Sequence, residues 1–501
     1  MRPRLIKNAV ANLAKGGTAA VVAIVLPPIL VRHMDPVSYA VWVLVLQIVA
    51  YVGYLDFGLQ TAIGRYVAYA NENNDLEWRD GIFSTASVGL GIAALLGTLL
   101  ILIAAVVSPS FFRSIPAASV APMRMAMLII GISVALGLPA SAWNGVFIGL
   151  QRYEIPAITT GAGRLLSVIG LIFVATRSKS LVWMAIVMAA SNLFAYALQF
   201  GFLRRIASNV RFRIELISKP LARELTGYCL SLTVWSFSML LVTGFDVVLV
   251  GRFQFGAVAA YSISATLIAF LGGVQNSIFG VIMPYAAGLH ARQDSKELGD
   301  LLTKTTRVGV LLLLITGLPL IVFAAPIIKT WIGLQYVQQG AGILVILVVA
   351  NMLRLTGTPY SSILIGTGQQ KLIIVSPLME GFTNVISSIF LGWRYGAIGV
   401  AWGTLIGAMV GLTMNIFYNL PRTRTSINVG KFRYAFNALT VPALCGIPAC
   451  IAMLLANISK PLESVFVLPA LLVSIVLCVV FLLRSSARGF HLDVPSMEQH
   501  P

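Results

Sequence analysis

Charge is what this sequence has least of. Only 10% of its 501 residues are Asp, Glu, Lys or Arg, against roughly a quarter in an ordinary soluble domain. So few charges cannot cover a globule of this size, so lipid must solvate most of its exterior. Cysteine is scarce as well. Cys229, Cys445, Cys450 and Cys478 lie in apolar stretches without a C-x-x-C spacing, which excludes a disulfide scaffold and points to small hydrophobes in helices. His33, His290, His491 and His500 are scattered, so neither a metal centre nor a catalytic dyad is visible, and no cofactor is implied. No G-x-x-x-x-G-K-[ST] occurs, which argues against an ATP-driven pump. The longest loops run to about 20 residues, too short for a soluble domain.

Long apolar runs are what the chain does contain, such as Leu311–Ala325 and Leu468–Leu483 within a 58% hydrophobic whole. Membrane barrels show alternation over about ten residues instead, so the pattern predicts an all-α polytopic membrane protein. With a window of about 20 residues per crossing, first-half helices fall near 9–31, 38–62, 81–107, 122–149, 155–176 and 181–203. The second half repeats the rhythm near 225–250, 257–286, 303–328, 338–366, 371–393 and 396–419, and two more follow near 434–457 and 464–484. About 14 helices result, in an amino-terminal lobe (1–206), a basic linker (207–223), a second six-helix lobe (224–420), two extra helices (421–485) and a tail (486–501). Arg2, Arg4 and Lys7 resemble a signal-peptide start, but no small-residue cleavage site follows, so the first helix reads as uncleaved.

The net charge of +18 has two readings, nucleic-acid binding or basic cytoplasmic loops. Its distribution favours the second. With the amino terminus inside, about 22 Lys and Arg fall on cytoplasmic segments and about 9 on outer ones, as the positive-inside rule requires. Both termini are then cytoplasmic. An internal repeat appears at an offset of about 220 residues: Arg32 aligns with Arg252, and Pro139 with Pro359. Six helices per unit preserve orientation, so the halves would be parallel repeats with a substrate site between lobes.

Ionisable groups inside spans are costly unless paired, hydrated or functional. Asp56 lies towards the inner end of predicted helix 2, Arg164 in helix 5, Asp246 near the outer end of helix 7, Arg354 in helix 10 and Glu380 in helix 11. Lys15 sits early in helix 1 and Arg65 just beyond helix 2, where both could simply snorkel to the interface. Arginines facing a hydrated cavity would suit a phosphate, whose oxygens match the guanidinium fork. Glu380 or Asp56 could hold such arginines apart or carry a coupling proton, and Glu380 could equally form a structural ion pair. Trp143 and Asn144, beside Pro139, suit a cavity lining. Trp42, Tyr51 and Tyr54 read as interface anchors or sugar-stacking groups. Gly403, Gly407 and Gly411 read as a close-packing helix face.

Together the 6 + 6 + 2 helices, the Leu26-Pro27-Pro28 stretch of helix 1, Asp56-Phe-Gly-Leu59 and Gly145-Val-Phe-Ile-Gly-Leu-Gln-Arg-Tyr153, with its partner Gly366-Thr-Gly-Gln-Gln-Lys371, resemble the polysaccharide flippases. These are the Wzx-type O-antigen and exopolysaccharide transporters of the multidrug/oligosaccharidyl-lipid/polysaccharide exporter superfamily. The resemblance implies an inner-membrane transporter with a cationic cavity, working by alternating access without catalysis. It would move an undecaprenyl-pyrophosphate-linked oligosaccharide between leaflets for O-antigen, capsule or exopolysaccharide synthesis. Arg164 and Arg354 become the pyrophosphate contacts, Lys15 and Arg65 the entrance, Asn144 a lining residue, and Asp56, Glu380 and Asp246 the coupling or gating groups. A polysaccharide polymerase and a chain-length regulator are the implied protein partners; nucleic acid is not. A lipid II flippase shares the architecture. A multidrug exporter of the same superfamily has 12 helices and an acidic cavity, and a membrane O-antigen polymerase or ligase needs larger outer loops than these.

Overall fold

The computed structural model describes residues 21–458 and 463–487. Regular structure among these residues is helical, with no strand. Thirteen helices or broken helices are long and apolar enough to cross a membrane, and Val21–His33 (α1) adds a shorter apolar one. The next five spans are Pro36–Glu72, which is broken into α2 (Pro36–Gly53) and α3 (Leu59–Glu72), then α4 (Leu76–Phe111), α5 (Ala117–Gly149), α6 (Glu154–Arg177) and α7 (Leu181–Ile206). Lys219–Phe253 is again broken, into α8 (Lys219–Thr243) and α9 (Asp246–Phe253). There follow α10 (Val258–Phe279), α11 (Ile282–Ala291), α12 (Ser295–Val322), α13 (Ala324–Trp331), α14 (Val337–Leu355), α15 (Thr358–Gly366), α16 (Val375–Tyr395) and α17 (Ala397–Met414). The last two are α18 (Lys431–Ala456) and α19 (Glu463–Ala487).

Each span predicted from residue 38 onward is matched by a helix or a broken helix. Of the one predicted over 9–31, the part from Val21 is helical, and 9–20 lies outside the described residues. Several helices run further than their apolar windows. The helix predicted over 38–62 continues to Glu72, and the one predicted from 225 begins at Lys219. The added turns carry charge and extend past the apolar stretch, which a hydropathy window cannot register. Their starts are set by short polar caps. The side chain of Asp75 accepts Trp78 N at 3.0 Å, Asp294 accepts Glu297 N at 2.9 Å, and Ser180 and Ser218 cap α7 and α8, each satisfying an amide the helix leaves open.

The internal repeat reappears in the backbone. Asn74 (φ +55°) precedes the Asp75 cap, and Gln293 (φ +58°) precedes the Asp294 cap. Gln151 (φ +57°) and Gly368 (φ +72°), then Lys179 (φ +55°) and Gly396 (φ +64°), form two further left-handed pairs at similar spacing. One tight turn chemistry is thus used twice at corresponding positions.

The described residues form two compact units. The first draws on Met1–Leu267, Ile328–Ile343 and Pro377–Gly407. Its amino-terminal part is organised around α5, which packs on α2, α3, α4 and α7. Met123, Phe147, Ile63 and Trp42 fill that interior with at most 2% exposure. The opposite surface is apolar: Leu95, Leu99, Val106, Ile169 and Phe173 are all more than half exposed. Such an exterior is stable only in lipid. Because lipid tails are as apolar as leucine, close packing rather than water exclusion holds these helices together. Gly145 and Gly149 of α5 supply it, since an added Cβ would lie 2.8 Å from the carbonyls of Gln60 and Gly64 on α3.

The second unit draws on Ile268–Ile327, Leu344–Ser376 and Ala408–Pro501. One core joins α11, α12 and α15 through Leu289, Leu298, Leu302, Tyr360 and Ile363. A second seats α18 and α19 on α12 through Leu311, Leu314, Cys445, Ala449, Leu471 and Cys478. Polar contacts add to it: Thr306 Oγ1 meets Tyr434 Oη at 3.1 Å, and Arg307 Nε donates to Asn437 O at 3.0 Å.

Candidate functional site

Two breaks in spanning helices organise the polar interior of the first unit. At the first, a 3₁₀ turn over Tyr54–Asp56 is followed by two left-handed residues, Phe57 (φ +50°) and Gly58 (φ +79°), before α3 begins. Gly58 is required twice over, by its φ and by a Cβ site 2.9 Å from Leu232 Cβ. A break inside hydrocarbon frees backbone groups that must find partners. Phe57 O accepts Thr233 Oγ1 at 3.2 Å, and Asp56 Oδ1 accepts Gln60 N at 3.3 Å. Asp56 therefore lies mid-span at the break, rather than towards the end of its helix as the sequence suggested.

Ser141 Oγ of α5 lies 3.1 Å from the same carboxylate oxygen and 2.7 Å from Leu138 O. Its single proton can serve either acceptor, next to a Pro139 that has no N–H to give. Asn144, one turn on, has a buried Oδ1 with no hydrogen-bond donor among the described residues. Its neighbour Trp143 packs on Phe200 at 5.3 Å. Trp42 is core, at 2% exposure, and not an interface anchor.

The second break, at Gly244 and Phe245, separates α8 from α9. Gly244 O accepts Gln47 Nε2 and Tyr51 Oη, which assigns Tyr51 to the break. Asp246 opens α9, where a carboxylate is favoured by the helix dipole. It is buried, at 8% exposure. Oδ2 accepts Thr404 Oγ1 at 3.0 Å and Tyr261 Oη at 3.2 Å, and Asn384 Nδ2 stands 3.5 Å from Oδ1. Asn384 also donates to Val242 O at 2.7 Å. Glu380, 9% exposed, lies one turn before Asn384 on α16. Gly403 and Gly407 bring α17 against this turn: a Cβ on Gly407 would lie 2.8 Å from Asn384 Cβ and 3.1 Å from Glu380 O. The close-packing face read from the sequence thus also builds the wall of a buried carboxylate site.

The cations are distributed more widely. Lys15 lies outside the described residues. Arg65 sits within α3 rather than beyond the helix, exposed, with its guanidinium 4.8 Å from the Tyr228 ring and 5.7 Å from that of Tyr66. Arg164 on α6 is half-buried, as is Arg354 in the last turn of α14, whose Nη1 donates to Asn351 Oδ1 at 3.2 Å. Arg164 belongs to the first unit and Arg354 to the second. The structure thus brings Asp246 and Glu380 to one stretch of α16, and Asp56 and Asn144 to one stretch of α5. Among the described residues no three His, Cys, Asp or Glu side chains converge as a metal cage would need.

Sequence reasoning missed Tyr261, Asn384 and Thr404, uncharged residues 15, 138 and 158 positions from Asp246. It also missed the buried pair Arg79 and Asp80. Arg79 is fully buried, donating to Asp80 Oδ1 at 3.2 Å and to Asn209 O at 2.6 Å. Asp80 stands 3.8 Å from Arg213 Nε, and Ser84 Oγ accepts Arg213 N. The signal available was an Arg-Asp dipeptide just after an Asp cap at the start of an apolar helix.

Residues 5–290 match the family described as polysaccharide biosynthesis protein. A protein of Shigella flexneri described as "Putative O-antigen transporter" is 23% identical over 409 residues, covering 79% of this chain and 93% of the relative. Among solved structures, an inward-facing multidrug resistance MATE family transporter of the MOP superfamily superposes with a TM-score of 0.70 at 16% identity, covering 84% of this chain and 94% of its own. The lipid II flippase MurJ, in an inward closed conformation, superposes with a TM-score of 0.68 at 14% identity, covering 96% and 99%.

Proposed function

We propose, from the premise that the chain belongs to the polysaccharide biosynthesis protein family of the MOP superfamily, that it flips a lipid-linked oligosaccharide across the inner membrane. The substrate class is an undecaprenyl-pyrophosphate-linked oligosaccharide for O-antigen, capsule or exopolysaccharide assembly. The observation carrying this reading is a pair of half-buried arginines, Arg164 and Arg354, in apolar helices of a family member. Arginine remains charged in such surroundings and matches the fork of phosphate oxygens. Spans chosen for packing alone would avoid the cost.

In this reading Arg164 and Arg354 engage the pyrophosphate, with Arg65 and Lys15 nearer the cytoplasmic entrance. Asn144 contacts the polar head through an Oδ1 that no described residue occupies. Asp56 gates at the helix break, where two left-handed residues make a pivot. Asp246 is the coupling carboxylate, and Glu380 sits beside it. Two hydroxyls and an amide around Asp246 stabilise the anion, and the same oxygens and carboxylate can take up a proton or a small cation. Transport itself makes and breaks no covalent bond. The lobes at 1–206 and 224–420, joined by the linker 207–223, are the moving parts, and the helices of 421–485 accompany the second. Both termini are cytoplasmic, on the strength of the Lys and Arg asymmetry. Neighbouring MOP structures in inward-facing and outward-facing conformations fit alternating access.

Reconstitution tests this directly. Vesicles holding the purified protein and a labelled lipid-linked oligosaccharide are challenged with an impermeant reagent that modifies the exposed sugar. Wild type is expected to change the accessible fraction with time, and Arg164→Ala and Arg354→Ala to slow it at least about tenfold, the scale of one lost charge-assisted contact. No translocation by intact wild type, or unchanged rates in both variants, overturns the reading.

A further inference from the structure

We infer that the loop joining α17 to α18 forms a binding site for the phosphate head group of an anionic membrane phospholipid. The cavity there holds about 390 Å³ and is lined by Leu420, Pro421, Arg424, Val429, Lys431 and Arg433, among others. Three of those side chains are cationic, and Arg422 adds a fourth positive charge to the same stretch of chain. No acidic residue occurs anywhere between Glu380 and Glu463. The start of α12, whose Ser295 O accepts Asn428 N of this loop, carries Asp294, which caps Glu297 N, Glu297, which accepts Tyr285 Oη at 3.0 Å, and Asp300, none of them among the lining residues of the cavity. The positive potential of the cavity therefore has no counter-charge on its own loop.

The loop is built to hold this shape. Thr423 Oγ1 bonds Tyr360 Oη at 2.7 Å, Gln369 Nε2 donates to Ser426 Oγ, and Asn428 N donates to Ser295 O at 2.8 Å. Ile427 is fully buried beneath it. Around the cations stands an apolar collar. Phe417, Phe432 and Phe436 are 54%, 72% and 61% exposed, and the Lys431 ammonium lies 5.5 Å and 5.3 Å from the rings of Phe417 and Phe432. The Arg422 guanidinium stacks on Tyr418 at 3.7 Å. Exposed phenylalanines at the ends of two spanning helices suit acyl chains, and cations between them suit the phosphate those chains carry. That combination selects a phospholipid over a free anion.

The comparison cavity is at the start of α8. Lys219 and Arg223 line it together with Glu224, so its field is partly cancelled. The test uses the full chain, delipidated in detergent and titrated with phosphatidylglycerol or phosphatidylcholine, with retained lipid counted by native mass spectrometry. Wild type is expected to retain phosphatidylglycerol preferentially. Each neutralised cation is expected to weaken it by about fivefold, the scale of one basic residue at an anionic surface. The triple variant R424Q/K431Q/R433Q then loses the preference, R424K/K431R/R433K keeps it and shows the fold is intact, and K219Q/R223Q leaves it unchanged. Equal retention by wild type and the triple glutamine variant overturns the inference. So does a wild type that ignores phosphatidylglycerol but takes up farnesyl pyrophosphate, which would assign the cavity to a pyrophosphate-bearing lipid instead.

Discussion

At the residue scale, the informative positions are those where a polar or left-handed residue interrupts an apolar helix. Gly58 is held at φ +79° against Leu232. Gly58→Ala is expected to cost about 1–3 kcal/mol, the range for a strained backbone position, and to lower the unfolding temperature in detergent. A variant as stable as wild type would mean that the break relaxes freely. Asp246 makes a different prediction. Asp246→Asn keeps the volume, and the hydroxyls of Tyr261 and Thr404 can rotate to accept from the new amide. The protein should fold and still bind its substrate, but transport driven by an imposed ion gradient should fall to the rate without a gradient. Vesicle assays with and without the gradient measure both. An unchanged gradient response in Asp246→Asn assigns the carboxylate to packing alone.

At the element scale, the segment between α7 and α8 is folded along the base of α4. Arg79 reaches Asn209 O and Asp80, and Asp80 in turn faces Arg213. Removing Arg79 leaves the buried Asp80 carboxylate with only the more distant Arg213 and takes the donor from Asn209 O, a loss on the scale of a broken buried pair, about 3–5 kcal/mol. Arg79→Ala is therefore expected to lower thermal stability and to open 207–218 to limited proteolysis, while Arg211→Ala, on the same linker, does neither. Equal proteolysis of the two variants would show that the pair does not hold the linker. The number and order of helices were legible in the sequence because hydropathy is a local property averaged over twenty residues. Their breaks were not. Gly58 reads as the end of a helix by every local rule, yet the chain resumes helix at Leu59 because the Thr233 hydroxyl takes up Phe57 O and the Asp56 carboxylate takes up Gln60 N. The hydrogen bonds of Asp246 were equally hidden, since Tyr261, Asn384 and Thr404 come from α10, α16 and α17 and are themselves uncharged. Charges stand out in an apolar span, whereas Asn384 and Thr404 do not.

At the scale of the whole molecule, the turns and the charges make one joint prediction about orientation. In the proposed topology, counting crossings from a cytoplasmic amino terminus puts the loops at Asn74, Gln151, Gln293 and Gly368 on the cytoplasmic side and those at Lys179 and Gly396 on the outer side. If the asymmetry of Lys and Arg sets the orientation, a single cysteine at Asn74 or Gln293 reacts with an impermeant maleimide only after the cells are opened. A cysteine at Lys179 reacts in intact spheroplasts. The native cysteines are first replaced by serine or alanine, Cys450 being the exposed one. The same labelling tests the proposed gate, because a break that gates alternating access would be exposed to each side in turn. Phe57→Cys, 37% exposed at that break, should change its labelling rate when substrate lipid is added. Labelling of both loop sets from one side would overturn the topology. Labelling of Phe57→Cys that ignores substrate, beside correctly oriented loops, would leave the topology standing and remove the break from the gate.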